Sequence, residues 1–215
     1  MKNKHIPYGP YEKYFKRPLD IFCGLAAVIV FSWLYLILIV LGAIFMRGNP
    51  FFTQKRPGKD EKIFKLIKFR SMDNRKDKDG NLLPDEIRLN KYGRFLRSTS
   101  LDELPEAFNI IKGDMSVIGP RPLLVQYLPR YNAQQRRRHE VRPGLSGYAQ
   151  VHGRNTVSWQ DKFRMDVEYV DHITFLGDLK IIWDSVMVAF VKRDGISSDT
   201  SATMEEFFGN EIETK

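Results

Sequence analysis

Two acids stand side by side, Asp102 and Glu103, in the stretch STSLDELPEAFNIIKGDMSVIGPRP that runs from Ser98 to Pro122. Adjacent carboxylates can act as a nucleophile and its partner, as an acid and a base, or as ligands of a divalent cation. They also have a purely structural use. Ser100-Leu101-Asp102-Glu103 matches the S-x-x-E capping box, and acids in a first helical turn are favoured by the helix dipole. Pro105 bears on the register. With Ser100 as cap its missing N–H would cost a helical hydrogen bond; with Asp102 as cap it falls where no intrahelical partner is expected. Either register sets both acids at the start of a helix over 104–112, ended by Gly113. Free N–H groups there lower a carboxylate pKa and attract phosphate.

Cations occupy constrained positions nearby. Arg97 precedes the acidic pair, and Arg121 is held between Pro120 and Pro122. Arg142 and Arg154 occur in VRPGLSGYAQVHGRN, while Lys68 and Arg70 fall on an expected strand. A planar guanidinium on a rigid turn suits bidentate phosphate recognition, although each arginine singly also reads as an ordinary surface residue. His152, in a glycine-flanked turn, is a candidate substrate contact; His139, after Arg136-Arg137-Arg138, reads as surface. No phosphate-binding glycine loop, zinc spacing or nucleophile elbow is present in the sequence. With 34 basic against 26 acidic residues the net charge is +8, which points to an anionic partner: phosphate, anionic lipid or nucleic acid. Nucleic-acid binding needs neither a long apolar segment nor a carboxylate pair, and is set aside.

The elements that must hold these groups begin with an apolar run. From Ile21 to Met46 no residue is charged, and a membrane span needs roughly 20 such residues. Lys13, Lys16 and Arg17 precede the run; Arg47, Lys55, Arg56, Lys59, Lys62 and Lys65 follow it. Basic flanks mark the cytoplasmic side, and here both flanks are basic. Span and re-entrant hairpin both remain open on this pattern. The single cysteine, Cys23, lies inside the run, so no internal disulfide is possible.

Beyond Gly48-Asn49-Pro50 the pattern changes. FFTQKR and IFKLIKFRSM, separated by the turn-rich PGKDEK, predict a β-hairpin. DNRKDKDGNLLPDE predicts a polar loop leading into a short helix. LLVQYLPRYNAQQRRRHEVRPG reads as a short helix and a second, amphipathic one; VSWQDKFRMDVEYVDH has helical spacing. FLGDLKIIWDSVMVAFVKRDG also reads as a helix, apolar on most sides of its centre and expected in the core rather than at a membrane surface.

FKRPLDI, FFTQKRPGKDEKIFKLIKFRSM, STSLDELPEAFNIIKGDMSVIGPRPLL and VRPGLSGYAQVHGRN, in that order, resemble the bacterial sugar transferases. Within them the chain is similar to the monotopic polyprenyl-phosphate phosphoglycosyl transferases in their short form, like the initiating enzyme of bacterial protein N-glycosylation. The resemblance covers about Lys16 to Phe207. It implies a reaction in which Asp102 attacks the sugar-linked phosphate of a UDP-sugar, UMP leaves, and polyprenyl (undecaprenyl) phosphate then takes the phosphosugar from the aspartate. It further implies that Glu103 partners Asp102 and binds Mg²⁺. Arg97, Arg121, Arg154, Lys68 and Arg142 become candidates for holding substrate phosphate.

The fold implied is mainly α with a small β-hairpin. A re-entrant membrane helix lies within residues 1–48, with interfacial amphipathic helices, a compact cytoplasmic catalytic domain over 49–207 and a tail at 208–215. The implied location is the bacterial inner membrane, with the catalytic domain on the cytoplasmic face. Three departures stand out: Ser32-Trp33 replaces the family's Ser-Pro break, and Tyr148 and His152 stand where many members have Trp and Asn. Two alternatives differ in outcome. A transferase moving only the sugar would release UDP, and a membrane-bound basic scaffold would tolerate Asp102→Asn.

Overall fold

The computed structural model describes residues 5–152, 157–190 and 206–209. A π-helical turn, Tyr11–Phe15, runs into α1 (Lys16–Val30); the helix breaks at Phe31 and α2 (Ser32–Phe45) follows. Next come β1 (Phe51–Pro57) and β2 (Ile63–Phe69), an antiparallel hairpin with Phe51 opposite Phe69 and Pro57 opposite Ile63. The polar loop ends in α3 (Asp85–Arg88), then α4 (Lys91–Ser98), a 3₁₀ turn at Leu101–Glu103, and α5 (Glu106–Lys112). After β3 (Ser116–Ile118) lie short turns, Val125–Arg130 and Arg137–His139, on either side of α6 (Ala133–Arg136). The chain continues with β4 (Gly144–Ser146), α7 (Tyr148–His152), α8 (Trp159–Asp171) and α9 (Phe175–Phe190). The expected helical body with one hairpin is present. A second sheet was not foreseen: β3 and β4 pair in parallel, Ser116 with Gly144 and Ile118 with Ser146.

The apolar run is bent by 65° at Phe31. Among the described residues no single helix is long and apolar enough to cross a membrane, though the bent pair together has the necessary length and composition. At 1.5 Å per residue α1 and α2 are each only about 22 Å long. Packing, rather than proline, sets the break. On α1, a Cβ added to Gly24 would come within 2.9 Å of Ile111 Cγ1, so this helix lies close against α5. Asp20, buried, accepts hydrogen bonds from Ser116 Oγ and the Val117 N–H and so ties α1 to β3. On α2, Tyr35 and Leu38 join Phe69, Tyr92 and Leu96 in a separate core, with the Tyr35 hydroxyl donating to the Leu104 carbonyl. One chain cannot satisfy both docking faces without turning between them.

The basic residues ahead of the run are committed to the body. Arg17 donates to the carbonyls of Ile110 and Ile111 at the C-terminal end of α5, where a cation suits the helix dipole. Lys16 and the Tyr11 hydroxyl both reach Asp178 at the start of α9. The far end returns to the same body: Asn90 donates to the Phe45 carbonyl, and Met46 is buried in the α2 core.

Three expectations are corrected. The amphipathic helix through Arg136-Arg137-Arg138 is instead α6 and a 3₁₀ turn, started by a capping box between Asn132 and Gln135. The register turns Arg138 inward to Asp166 and buries His139, which is therefore not on the surface. Helix α9 is not simply a core helix. Ile181 faces inward, but Leu176 (75% exposed), Leu179, Trp183 (65% exposed) and Val186 form an outward apolar stripe at helical spacing. Helices α1 and α2 expose similar side chains, among them Phe22, Ile29 and Leu36.

At the other end of the chain, Phe207 is buried among Tyr127, Tyr131, Trp159 and Phe163, while Phe208 is exposed.

Candidate active site

The acidic pair lies on the 3₁₀ turn between α4 and α5, not in the first turn of an α-helix. Ser100 adopts a left-handed conformation (φ 56°), which a serine enters only at some energetic cost, and its side chain caps nothing. Glu103 N–H donates to the Ser100 carbonyl, but the Glu103 side chain turns into a groove instead of back to Ser100. The capping box is thus absent, and the helix that starts after Pro105 positions the acids without being capped by them.

Glu103 Oε1 accepts from Lys68 Nζ at 2.6 Å and from Arg121 Nη2 at 2.9 Å. Lys68 also lies 3.1 Å from Glu106 Oε1. Burial opposes the charge on Glu103, yet Arg121 and Lys68 outweigh it and hold the carboxyl well below its usual range. Asp102 behaves oppositely. Among the described residues only its own backbone N–H hydrogen-bonds its side chain, and burial followed by the charge of Glu103 pushes its pKa up. The expected lowering by a helix terminus therefore fails for Asp102, which is outside the α-helix and crowded by a like charge. Burial, then Glu103, raises the Glu106 pKa as well.

The elements holding this cluster are fixed from two sides. Asn109, on α5 and fully buried, accepts from the Ile67 N–H and donates to the Lys65 carbonyl, locking β2 and its Lys68 to the helix that carries Glu106. Arg121 follows a crossing of two glycine-bearing segments. A Cβ on Gly144 would lie 2.1 Å from Gly119 N, and one on Gly147 would lie 2.2 Å from Gly119 O. Only glycine permits that approach, which brings the Arg121 loop, β4 and α7 together.

The groove has a volume of about 1240 Å³ and extends well beyond the acids. Its polar end is formed by Arg56, Lys68, Arg97 and Arg121 around Asp102 and Glu103. Its other wall is apolar, with Ala27 of α1, Ile110 of α5, Val151 of α7 and Val188 of α9. A smaller cleft of 520 Å³ between α6 and α8 contains none of the expected site residues.

Arg97 lines the groove and uses its Nε on Ser71 Oγ at 3.0 Å, leaving its terminal nitrogens without a partner among the described residues. Arg142 is elsewhere: its Nε donates to the Gly113 carbonyl, so it helps Arg17 at the C-terminal end of α5. Arg154 lies outside the described residues. The Tyr148 and His152 rings meet at a tilt with centroids 4.3 Å apart, and the His152 ring lies 3.9 Å from Asp184; neither lines the groove, whereas Gln150 and Val151 between them do. Sequence reasoning missed Glu106, Asn109 and the groove-lining Arg56. Three-residue spacing from Glu103 was a usable signal for Glu106, because it puts the two on one side of successive turns. Nothing local marks Asn109 as a link to β2, where its partners Lys65 and Ile67 are some forty residues away.

Among the described residues no group of three or more His, Cys, Asp or Glu side chains is arranged to hold a metal.

The family profile described as bacterial sugar transferase matches residues 11–192, which contain the whole of the groove. The chain belongs to this family. Individual sugar transferases support the assignment. The chain is 52% identical over 164 residues to the uncharacterized sugar transferase EpsL of Bacillus subtilis, covering 76% of this chain and 81% of that protein. It is 37% identical over 198 residues to the UDP-glucose:undecaprenyl-phosphate glucose-1-phosphate transferase of Klebsiella pneumoniae. To the undecaprenyl-phosphate galactose phosphotransferase of Salmonella typhimurium it is 34% identical over 203 residues. These alignments take in 87% and 86% of this chain but only 42% of each of the two relatives. Several sugar transferases are therefore longer proteins of which this chain spans about two fifths.

Proposed function

We propose that this sugar transferase moves a phosphosugar from a UDP-sugar to undecaprenyl phosphate, releasing UMP. The names of the Klebsiella and Salmonella relatives support the overall exchange. The observation that carries the chemistry is the contrast between two neighbours: Glu103 is occupied by Lys68 and Arg121, while Asp102, which lines the same groove, has no hydrogen-bonding partner among the other described residues. An unpaired, crowded carboxylate is available as a nucleophile. In the first step an Asp102 carboxylate oxygen bonds to the sugar-linked phosphorus. The bond from that phosphorus to the bridging oxygen breaks, and UMP leaves with that oxygen and its electron pair. In the second, an oxygen of the lipid phosphate bonds to the same phosphorus and the aspartyl oxygen departs. Lys68, Arg97 and Arg121 neutralise the phosphate charge that develops in both steps.

Mg²⁺ fits this donor set on chemical grounds. It accepts one or two carboxylates together with substrate phosphates and water, so a complete protein cage is unnecessary. The second oxygen of Glu103 would hold it, and its charge would help neutralise the diphosphate.

The membrane reading is that α1 and α2 enter and leave through one leaflet, with α9 lying at its surface and the catalytic body in the cytoplasm. It is supported by the 65° bend, the shortness of each helix and the attachment of both ends to a single body. The outward apolar stripe of α9 supports the surface role. Single cysteines introduced as Ile6→Cys or Lys59→Cys in a Cys23→Ser background test this arrangement. In inverted membrane vesicles both should react with an impermeant maleimide. Reaction at only one of the two positions would establish a span and sink the re-entrant reading.

The reaction is tested by incubating the detergent-purified protein with Mg²⁺, undecaprenyl phosphate and a panel of UDP-sugars. UMP with at least one sugar is the expected product. UDP would instead identify transfer of the sugar alone and end the phosphosugar mechanism.

A further inference from the structure

We propose that Glu106 is a positioning residue that aims the Lys68 ammonium at the donor phosphates, an inference that rests on the phosphosugar-transfer reading above. Glu106 is only 3% exposed, an unusual setting for a carboxylate, and its partner is Lys68. Lys68 is thus held at two points, 2.6 Å from Glu103 and 3.1 Å from Glu106, while its strand is locked to α5 by Asn109.

An ammonium carries three N–H donors on a flexible four-carbon stem. One carboxylate would leave it free to rotate. Two carboxylates fix two of the donors and so fix the direction of the third, the donor left for a ligand in the groove that Lys68 lines. The arrangement also separates two duties of Glu103. Its Oε1 accepts both Lys68 and Arg121, and phosphates entering the groove compete for the same two cations. When they draw Lys68 away from Glu103, Glu106 still anchors it from behind. Among the described residues Arg121 has no such second side-chain anchor; its backbone is held instead, through its carbonyl, by Arg138.

The role is distinguishable from simple packing by a double-mutant cycle on the full chain, reading UMP release against UDP-sugar concentration. Glu106→Ala should lower kcat/KM for the UDP-sugar by about 10- to 100-fold, the cost of a misdirected charged hydrogen bond. Glu106→Gln keeps an acceptor for Lys68 at nearly constant shape and should recover most of that loss. In a Lys68→Met background, Glu106→Ala should change kcat/KM by less than about twofold, because the group it positions is gone. Equal losses in the two backgrounds, or full activity in Glu106→Ala, would overturn the proposal. A Gln variant as impaired as the Ala variant, with an unchanged melting temperature, would overturn it too. The unmodified enzyme separates the two levels of inference: if it releases no UMP, the transfer reading fails and this role fails with it.

Discussion

Asp102→Asn should abolish turnover while leaving the fold intact, with UMP release reduced by at least about 10³-fold, as expected for loss of a nucleophile. The substitution keeps the shape of the side chain and removes its charge. Because no other described residue hydrogen-bonds the Asp102 side chain, whose own N–H is its one hydrogen-bonding partner there, the substitution breaks no contact between elements. The sign of the stability effect follows from linkage. Burial and Glu103 raise the Asp102 pKa in the folded protein, so above the unfolded pKa its ionisation favours the unfolded chain. Asparagine removes that contribution, and the melting temperature should stay level or rise. Inactivity with preserved stability separates chemistry from architecture. A second measurement tightens the test: incubation with UDP-sugar and no lipid acceptor should add one phosphosugar mass to the peptide containing Asp102. That adduct should be absent from the asparagine variant. Undiminished UMP release by Asp102→Asn would rule out the covalent route through this residue.

Arg138→Met should destabilise the protein by about 3–5 kcal/mol, the range for removing one partner of a buried ion pair. Arg138 and Asp166 are both almost completely buried, joined by hydrogen bonds of 2.9 and 2.7 Å to Asp166 Oδ2. Burial alone drives the Asp166 pKa up, and Arg138 is the main charge opposing it. Methionine would fill most of the volume and leave the carboxylate without its counter-charge. Adding Asp166→Leu should recover more than half of the loss, since an apolar pair can replace a buried ionic one. Activity should recover less than stability, because Arg138 Nη2 also donates to the Arg121 carbonyl at 2.7 Å, and no apolar residue can restore that bond. Denaturant unfolding in detergent and UMP release measure the two quantities. A single Arg138→Met variant within 1 kcal/mol of the parent would contradict this account.

The most legible parts of the sequence were those whose causes are local. The turn-rich PGKDEK and the aromatic and aliphatic run after it specify the β1–β2 hairpin, and Gly113, with φ of 101°, ends α5 where glycine predicts a stop. Helix α8 begins where Ser158 caps it, as its spacing suggests. The Asp102–Glu103 pair and the constrained Arg121 could be singled out by residue type and neighbours, and the groove brings both together with Lys68 and Arg97.

Local signals misled wherever a distant partner won. Ser100 to Glu103 has the spacing of a capping box, but two cations from β2 and the Arg121 loop hold the glutamate more strongly than one backbone N–H could. Arg142, a phosphate candidate beside a proline, donates its Nε to the Gly113 carbonyl and does not line the groove. Lys16 and Arg17, read from the sequence as a basic flank of the apolar run, are also bound to Asp178 and the end of α5, which no local pattern indicates.

By itself, then, the sequence determined which residue types are available for phosphate chemistry, where the hairpin and most helices lie, and that one long segment is apolar. Those properties depend on side-chain period, turn residues and composition, all short-range. Only the tertiary structure decided that the apolar run bends without a proline, that Glu106 and Asn109 belong to the site, and that Glu103 is engaged while Asp102 is left open. Each of these is an outcome of competition between partners far apart in the chain. No window of sequence contains both Asp20 and Ser116, or both Lys68 and Glu103, yet their contacts fix the helix that bends and the carboxylate that is engaged.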